Sequence, residues 1–165
     1  MKKLFTLIIA LLVLSCSDGD LTIEAIDFDN ITAQNCKTLT IDTQLFFKIS
    51  GSEALILQLD SELLQNEVSE EVITSAIPGN SQLIYRLFDD SINSSYFCDD
   101  IPPATPIVIE EISASDGNVL ITTTTTDSIT FTHTIQLEGI IITNAAGESI
   151  IDLTTNEFDV IETTN

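Results

Sequence analysis

The alternation in "ITFTHTIQL", residues 129–137, constrains this chain more than any other feature. Ile129, Phe131, His133, Ile135 and Leu137 fall on one side of an extended strand, and Thr130, Thr132, Thr134 and Gln136 on the other. A helix cannot present a period of two, because its apolar stripe recurs every three to four residues. The stretch therefore reads as a half-buried strand, and the fold has to supply a second layer to cover its apolar face.

Most of the remaining chain is equally rich in strand-forming Ile, Leu, Thr and Phe. Strands are expected at "LTIEAIDF" (21–28), "KTLTIDTQLFFKIS" (37–50, with a break near Asp42 and Thr43), "EALILQLD" (53–60) and "QLIYRLF" (82–88). "IVIEEIS" (107–113), "NVLITTTTT" (118–126), residues 128–143, "IIDLTT" and "FDVIE" continue the series. Gly51-Ser52 reads as a two-residue hairpin turn, and "ASDG" with Asp116 and Gly117 as another turn. Pro102, Pro103 and Pro106 cannot donate to a ladder and suit an edge or a loop. Residues 61–80 stand apart: acids, Gln and Leu fit one or two short helical turns ended by Pro78 and Gly79, or a long loop over a sheet edge. The pattern as a whole implies an all-β fold, an antiparallel two-layer β-sandwich over residues 21–165 with at most a short helical segment. An immunoglobulin-like strand order fits such a chain, but with no Trp the Cys-Trp-Cys core of antibody domains is absent.

The first 20 residues follow other rules. Lys2 and Lys3 precede the uncharged run "LFTLIIALLVL", residues 4–14, the layout of an export signal. As a helix that run would reach about 16 Å, roughly half the hydrocarbon core of a bilayer, so it is too short to span. It ends in "VLSC", which resembles the lipobox of bacterial lipoproteins, with Ser15 before Cys16. The resemblance implies cleavage of a signal peptide at residues 1–15 and acylation of Cys16, with 16–20 as a lipidated tether. "SDGD" behind the cysteine is similar to the acidic export signal of surface-exposed lipoproteins of Bacteroidetes and flavobacteria. Ser17 also differs from the Asp that retains enterobacterial lipoproteins at the inner membrane. The implied address is the outer membrane, lipid-anchored at the cell surface, with its periplasmic face as the alternative. "ISGSEALILQLD" and the stretch from Ile84 to Glu111 likewise resemble flavobacterial lipoproteins, a likeness that speaks to lineage and location and implies no activity.

Charge narrows the partners. The chain carries 26 acidic residues, and beyond residue 15 only Lys37, Lys48 and Arg86 oppose them. Such a surface repels nucleic acid and attracts cations. Spread along the chain, the acids serve solubility at a crowded envelope, and they repel one another, so divalent cations are expected to raise stability. The membrane, through the anchor, and an envelope protein are the partners this reading allows.

Cys36 and Cys98 make an even pair in an exported chain, with no CxxC spacing, and read as a disulfide rather than a redox or zinc motif. The lone His133 lies on the apolar face of its strand, without a second histidine, an HExxH or a nucleophile elbow, and so reads as structural. Asp89, Asp90, Asp99 and Asp100 are the candidate calcium ligands, since calcium takes six to eight oxygens and loop acids can turn to one ion. None fits the twelve-residue calcium loop, and solvated turn acids are the simpler reading. Glycosidase chemistry would need two carboxylates across a sugar cleft, usually bordered by aromatics; here there is no Trp, and the only tyrosines are Tyr85 and Tyr96. "DSI" occurs at Asp90–Ile92 and Asp127–Ile129 and resembles the O-glycosylation motif of Bacteroidetes exported proteins, making Ser91 and Ser128 candidate acceptors. The expected role is non-enzymatic, binding or structural, within a cell-envelope assembly, with no cofactor. The alternative is a calcium-dependent carbohydrate-binding module or a small envelope hydrolase.

Overall fold

A computed structural model describes residues 28–143, 149–153 and 156–164. The expected signal peptide, Cys16, the tether and nearly all of the first expected strand lie outside the described residues. Two antiparallel sheets face each other. One contains β1 (Leu45–Ser50), β2 (Glu53–Gln58), β4 (Gln82–Phe88) and β5 (Val108–Ser113), in that order. The other runs β3 (Ile73–Ala76), β6 (Asp116–Thr125), β7 (Thr130–Thr143) and β8 (Ser149–Leu153), while β9 (Asn156–Thr164) pairs with the first half of β7. Immunoglobulin constant domains place their strands 1-2-5-4 and 3-6-7. Here β3-β6-β7 follows that order, but the first sheet runs 1-2-4-5, so its outer strand comes after β4 rather than before it.

The main core lies between the sheets. Phe46, Leu55, Leu57, Leu83 and Tyr85 of the first sheet meet Val119, Ile121, Ile135, Leu137, Phe158 and Ile161 of the second. A second, smaller core covers the other face of the first sheet. There Phe47, Ala54, Ile56 and Phe88 pack beneath Ile92 and a one-turn helix α1 (Ser95–Cys98). Phe97 stacks on Phe47 with ring centroids 4.5 Å apart, and Tyr96 meets Phe88 edge-on at 4.7 Å. Neighbouring residues point to opposite faces of a strand, so burial of both Phe46 and Phe47 requires both faces to be covered. The same condition explains the unbroken apolar run Ala54–Leu57 on β2. A Cys36–Cys98 disulfide, with Cα atoms 5.0 Å apart, ties this cover to the segment preceding β1.

Several local expectations change. Residues 37–44 form no strand: Thr43 N–H bonds Thr40 C=O and Thr40 N–H bonds the Thr43 hydroxyl, so the break expected near Asp42 ends regular structure and β1 begins at Leu45. Of the two readings of residues 61–80, the loop holds over 61–72 and no helical turns form, while 73–76 are strand β3; the helix lies instead at α1. Asn93 starts that helix by accepting the Ser95 and Tyr96 N–H groups. "ASDG" is no hairpin turn either. Ala114 N–H bonds Leu83 of the first sheet while Ser115 N–H bonds Ile141 of the second, so the chain changes sheet between adjacent residues. Gly117 then sits in a bulge at a φ of +129°, where a Cβ would fall 2.6 Å from Ile140 Cδ1. Across that bulge, Gly139 at φ +63° switches the inward positions of β7 from odd (Phe131, His133, Ile135, Leu137) to even (Ile140, Ile142).

Candidate binding surface

Strand β5 ends the first sheet, and among the described residues no strand pairs with its outer edge. Its register with β4 slips beside Phe88: Phe88 faces Val108 and Leu87 faces Glu110, which leaves Ile109 without a cross-strand partner. Side chains here are unusually bare for apolar residues. Ile109 is 61% exposed, Ile107 55% and Val108 36%, and Ile101 in the preceding connector is 85% exposed. Single exposed apolar residues need no explanation, but three in a row on an unpaired edge form a patch. A reciprocal clamp fixes where this ridge begins: Asp89 N–H bonds Ile107 C=O at 3.1 Å, and Ile107 N–H bonds the Asp89 carboxylate at 2.8 Å.

Acids border the ridge. Glu110 and Glu111 follow it on β5, Asp89 holds its start, and Asp90 is next in the chain. Arg86 is committed to Glu111, with its Nε 2.7 Å from the carboxylate oxygen and Nη2 on the same oxygen. The apolar ridge at the start of β5 therefore lies between Asp89 and Asp90 on one side and Glu110 and Glu111, central in the strand, on the other.

The other sequence candidates are placed as follows. Asp89 and Asp90 each accept a backbone N–H, from Ile107 and Ser91, and Asp99 and Asp100 are exposed at the end of α1. Among the described residues no group of three or more His, Cys, Asp or Glu is assembled to hold a metal, so the four aspartates are not gathered into a calcium site. Ser91 and Ser128 are both exposed and outside strands. Ser128 lies in the β6–β7 turn at φ +60°. Asp127, in the same turn, accepts the Thr130 and Ile129 N–H groups, and those bonds hold its carboxyl below the usual carboxylate range.

His133 is fully buried. Its Nε2 lies 2.8 Å from the Thr163 hydroxyl, which itself donates to Asn66 Oδ1; Nε2–H must therefore be the donor. Nδ1 is then left to accept from the Thr123 hydroxyl at 2.8 Å. Burial lowers the basicity of the ring below that of a free histidine. Both nitrogens are used in holding β6, β7, β9 and the loop at 61–72 together, and Ser69 in that loop exchanges two further bonds with the Thr123 backbone.

Concavities lie elsewhere among the described residues. A cleft of about 740 Å³ is lined by Ile41, Asp42, Gln44, Glu62, Leu64 and Glu67, among others. A smaller one, about 160 Å³, lies over Lys48 beside Asp29, Glu157 and Asp159. Lys48, 2% exposed, donates to Phe28 C=O at 3.0 Å with its ammonium 5.0 Å from the centre of the Phe158 ring. Burial lowers its basicity, and Asp159, Asp29 and Glu157 oppose that shift. Sequence reasoning singled out none of the ridge, the cleft or this lysine; the only signal for the ridge was its approach through three prolines. No helix among the described residues is long and apolar enough to cross a membrane. Compared with protein-family models, curated proteins and solved structures, the chain has no significant match.

Proposed function

We propose that this protein is a lipid-anchored outer-membrane protein displayed at the cell surface, with a non-enzymatic binding or structural role in a cell-envelope assembly. The observation that carries the binding role is the bare apolar ridge Ile107–Ile109 at the start of β5, whose outer edge pairs with no strand among the described residues. An assembly subunit needs such a patch, whereas a catalyst needs a concave site with converging polar groups. His133 supports the same side, since both its nitrogens serve the packing of the sandwich. The leader with Lys2 and Lys3, the lipobox-like Cys16, the acidic "SDGD" and a disulfide suited to an oxidising compartment support the address.

Two measurements test the reading. Cys16→Ala is expected to move the protein from the membrane fraction to the soluble one, and retention in the membrane would refute the anchor. Photo-reactive amino acids placed at Ile107 and Ile109 in living cells are expected to give a discrete cross-linked species, while the same group at exposed Val160 on β9 gives none. Equal, diffuse labelling at all three positions would refute the binding role. A second reading, a carbohydrate-binding module or small hydrolase, is favoured only by the cleft at residues 41–67, where Asp42, Glu62 and Glu67 stand near the amides of Gln44 and Gln65. Calorimetric titration with oligosaccharides, with and without calcium, would support it by showing saturable heat that Glu62→Gln abolishes.

A further inference from the structure

The ridge also indicates what kind of partner it takes, and this step rests on the binding role proposed above. We propose that the β5 edge receives an extended, basic segment of a different protein. The segment lies along Glu110–Ser113 as an added strand, with apolar side chains against Ile107 and Ile109 and Lys or Arg side chains on the bordering acids.

Backbone geometry supplies the first argument. β5 keeps a regular register with β4 from Ser113 back to Glu110, so its outer N–H and C=O groups are spaced to pair with an incoming strand. Before that stretch, the slip at Phe88 pushes Ile109 out as an extra residue. It interrupts the ladder, which resumes at Val108 and Phe88, and presents an apolar knob for a partner side chain to cover.

Charge selects among occupants. A second copy would have to lay its own edge against this one, bringing Glu110 and Glu111 of each chain together between molecules that each carry a net charge of −21. Like charges facing one another across a strand pair are destabilising, and acids on an edge are a common defence against self-pairing. The same repulsion disfavours an anionic lipid surface or a nucleic acid. Of the rim acids, Glu111 is already paired with Arg86, which leaves Glu110, Asp89 and Asp90 to face a basic segment, and Lys48 is buried against Phe28 and Phe158. Lys and Arg suit the site on both counts, because their aliphatic stems cover apolar surface while their heads reach carboxylates. The acids that block pairing with a second copy thus favour a basic strand over any other.

The test uses the full-length chain in detergent and three fluorescent ten-residue peptides. One alternates Val and Lys, one alternates Val and Glu, and one is the Val-Lys peptide N-methylated at every residue so that neither edge can donate. Fluorescence anisotropy is expected to show saturable binding of the Val-Lys peptide alone, weakening about tenfold between low and physiological salt. Ile109→Asp is expected to abolish that binding. Glu110→Lys is expected to exchange the preference, so that the Val-Glu peptide binds instead. Both positions are exposed, and an unchanged far-ultraviolet circular dichroism spectrum confirms that the variants fold. Equal binding of the N-methylated peptide, or binding untouched by Ile109→Asp, would overturn strand addition. A dimer in sedimentation that Ile109→Asp abolishes would overturn the choice of a different protein. If cross-links form at Ile107 and Ile109 while the Val-Lys peptide fails to bind, the binding role stands and the basic strand falls. If no cross-link forms at either residue, the binding role falls first.

Discussion

Replacing both Cys36 and Cys98 by Ala is expected to weaken the fold without dismantling it. The bridge joins residues 62 apart in sequence. Closing a loop of that length removes about 14 cal/mol/K of entropy from the unfolded chain, about 4 kcal/mol at 25 °C. A chain of this size loses about 2–4 °C of melting temperature per kcal/mol, so the double variant should melt about 8–16 °C lower. It should still fold, because the cover over the first sheet has its own apolar hold: Phe97 on Phe47, Tyr96 on Phe88, and Ile92 in the same cluster. Thermal and urea denaturation followed by circular dichroism measure the loss, and retained near-ultraviolet aromatic signals show that the small core is still packed. Reducing the native protein should reproduce the shift. Adding Phe97→Ala should then cost about 3 kcal/mol more and detach α1. A loss under about 1 kcal/mol, or loss of near-ultraviolet aromatic signals in the double variant alone, would refute the division of labour between bridge and small core.

His133 makes stability depend on pH. Its folded pKa is lowered by burial, so below the free-histidine value of about 6.5 the unfolded chain binds more protons, and stability falls as pH falls from there toward the folded pKa. Urea midpoints at pH 7.5 and 5.5 should show that fall in the native protein and less of it in His133→Phe, which should also be less stable at both pH values, with the Thr123 and Thr163 hydroxyls losing a partner. Gly117→Ala should cost about 2–4 kcal/mol, since its Cβ would collide with Ile140 at a positive φ, whereas Gly139→Ala, with nothing within 4 Å, should cost only about 1–2 kcal/mol. Chemical denaturation of the two variants side by side measures the difference. Millimolar calcium at fixed ionic strength should raise the melting temperature, and magnesium should match it, because the acids are scattered rather than gathered at one ion. Mass spectrometry of native material should find sugar on Ser91 and Ser128, each lost on substitution by Ala.

What the sequence revealed, and what it hid, follows from how far each cause reaches along the chain. The alternation at 129–137 needs only its own residues, and β7 runs there as read, except that Ile129 lies in the exposed turn before the strand. The hairpin at Gly51-Ser52 is equally local. β3 was hidden because "ITSA" is short and half polar, and Ser75 is buried there only by bonding Ser81 across a turn. The covering core was harder still: "SINSSYFC" looks like a polar loop until the disulfide and Phe47 give its aromatics something to pack on. Of the candidate site, the acids and the prolines were legible, but the ridge was not. "IVIEEIS" reads as any half-buried strand, and it becomes an edge only because the chain leaves for the other sheet at Ala114.

That crossing also bears on why the ridge is apolar at all. Folding alone does not call for Ile at 107 and 109, since these side chains contribute to neither core, and a polar residue at either place would leave the sandwich intact. An edge shaped only to avoid aggregation would carry its charges in the middle, as edge strands commonly do. Here Glu110 and Glu111 do occupy the middle of β5, but the isoleucines at its start are left bare between those acids and the prolines. The placement resembles a protein interface in miniature, an apolar centre within a charged rim. The Asp89–Ile107 clamp adds to this, because it fixes the start of the ridge against β4 through two hydrogen bonds. A strand that only closed a sheet would gain little from having its exposed end held so firmly, whereas one that pairs with a partner gains affinity from being ordered before the partner arrives.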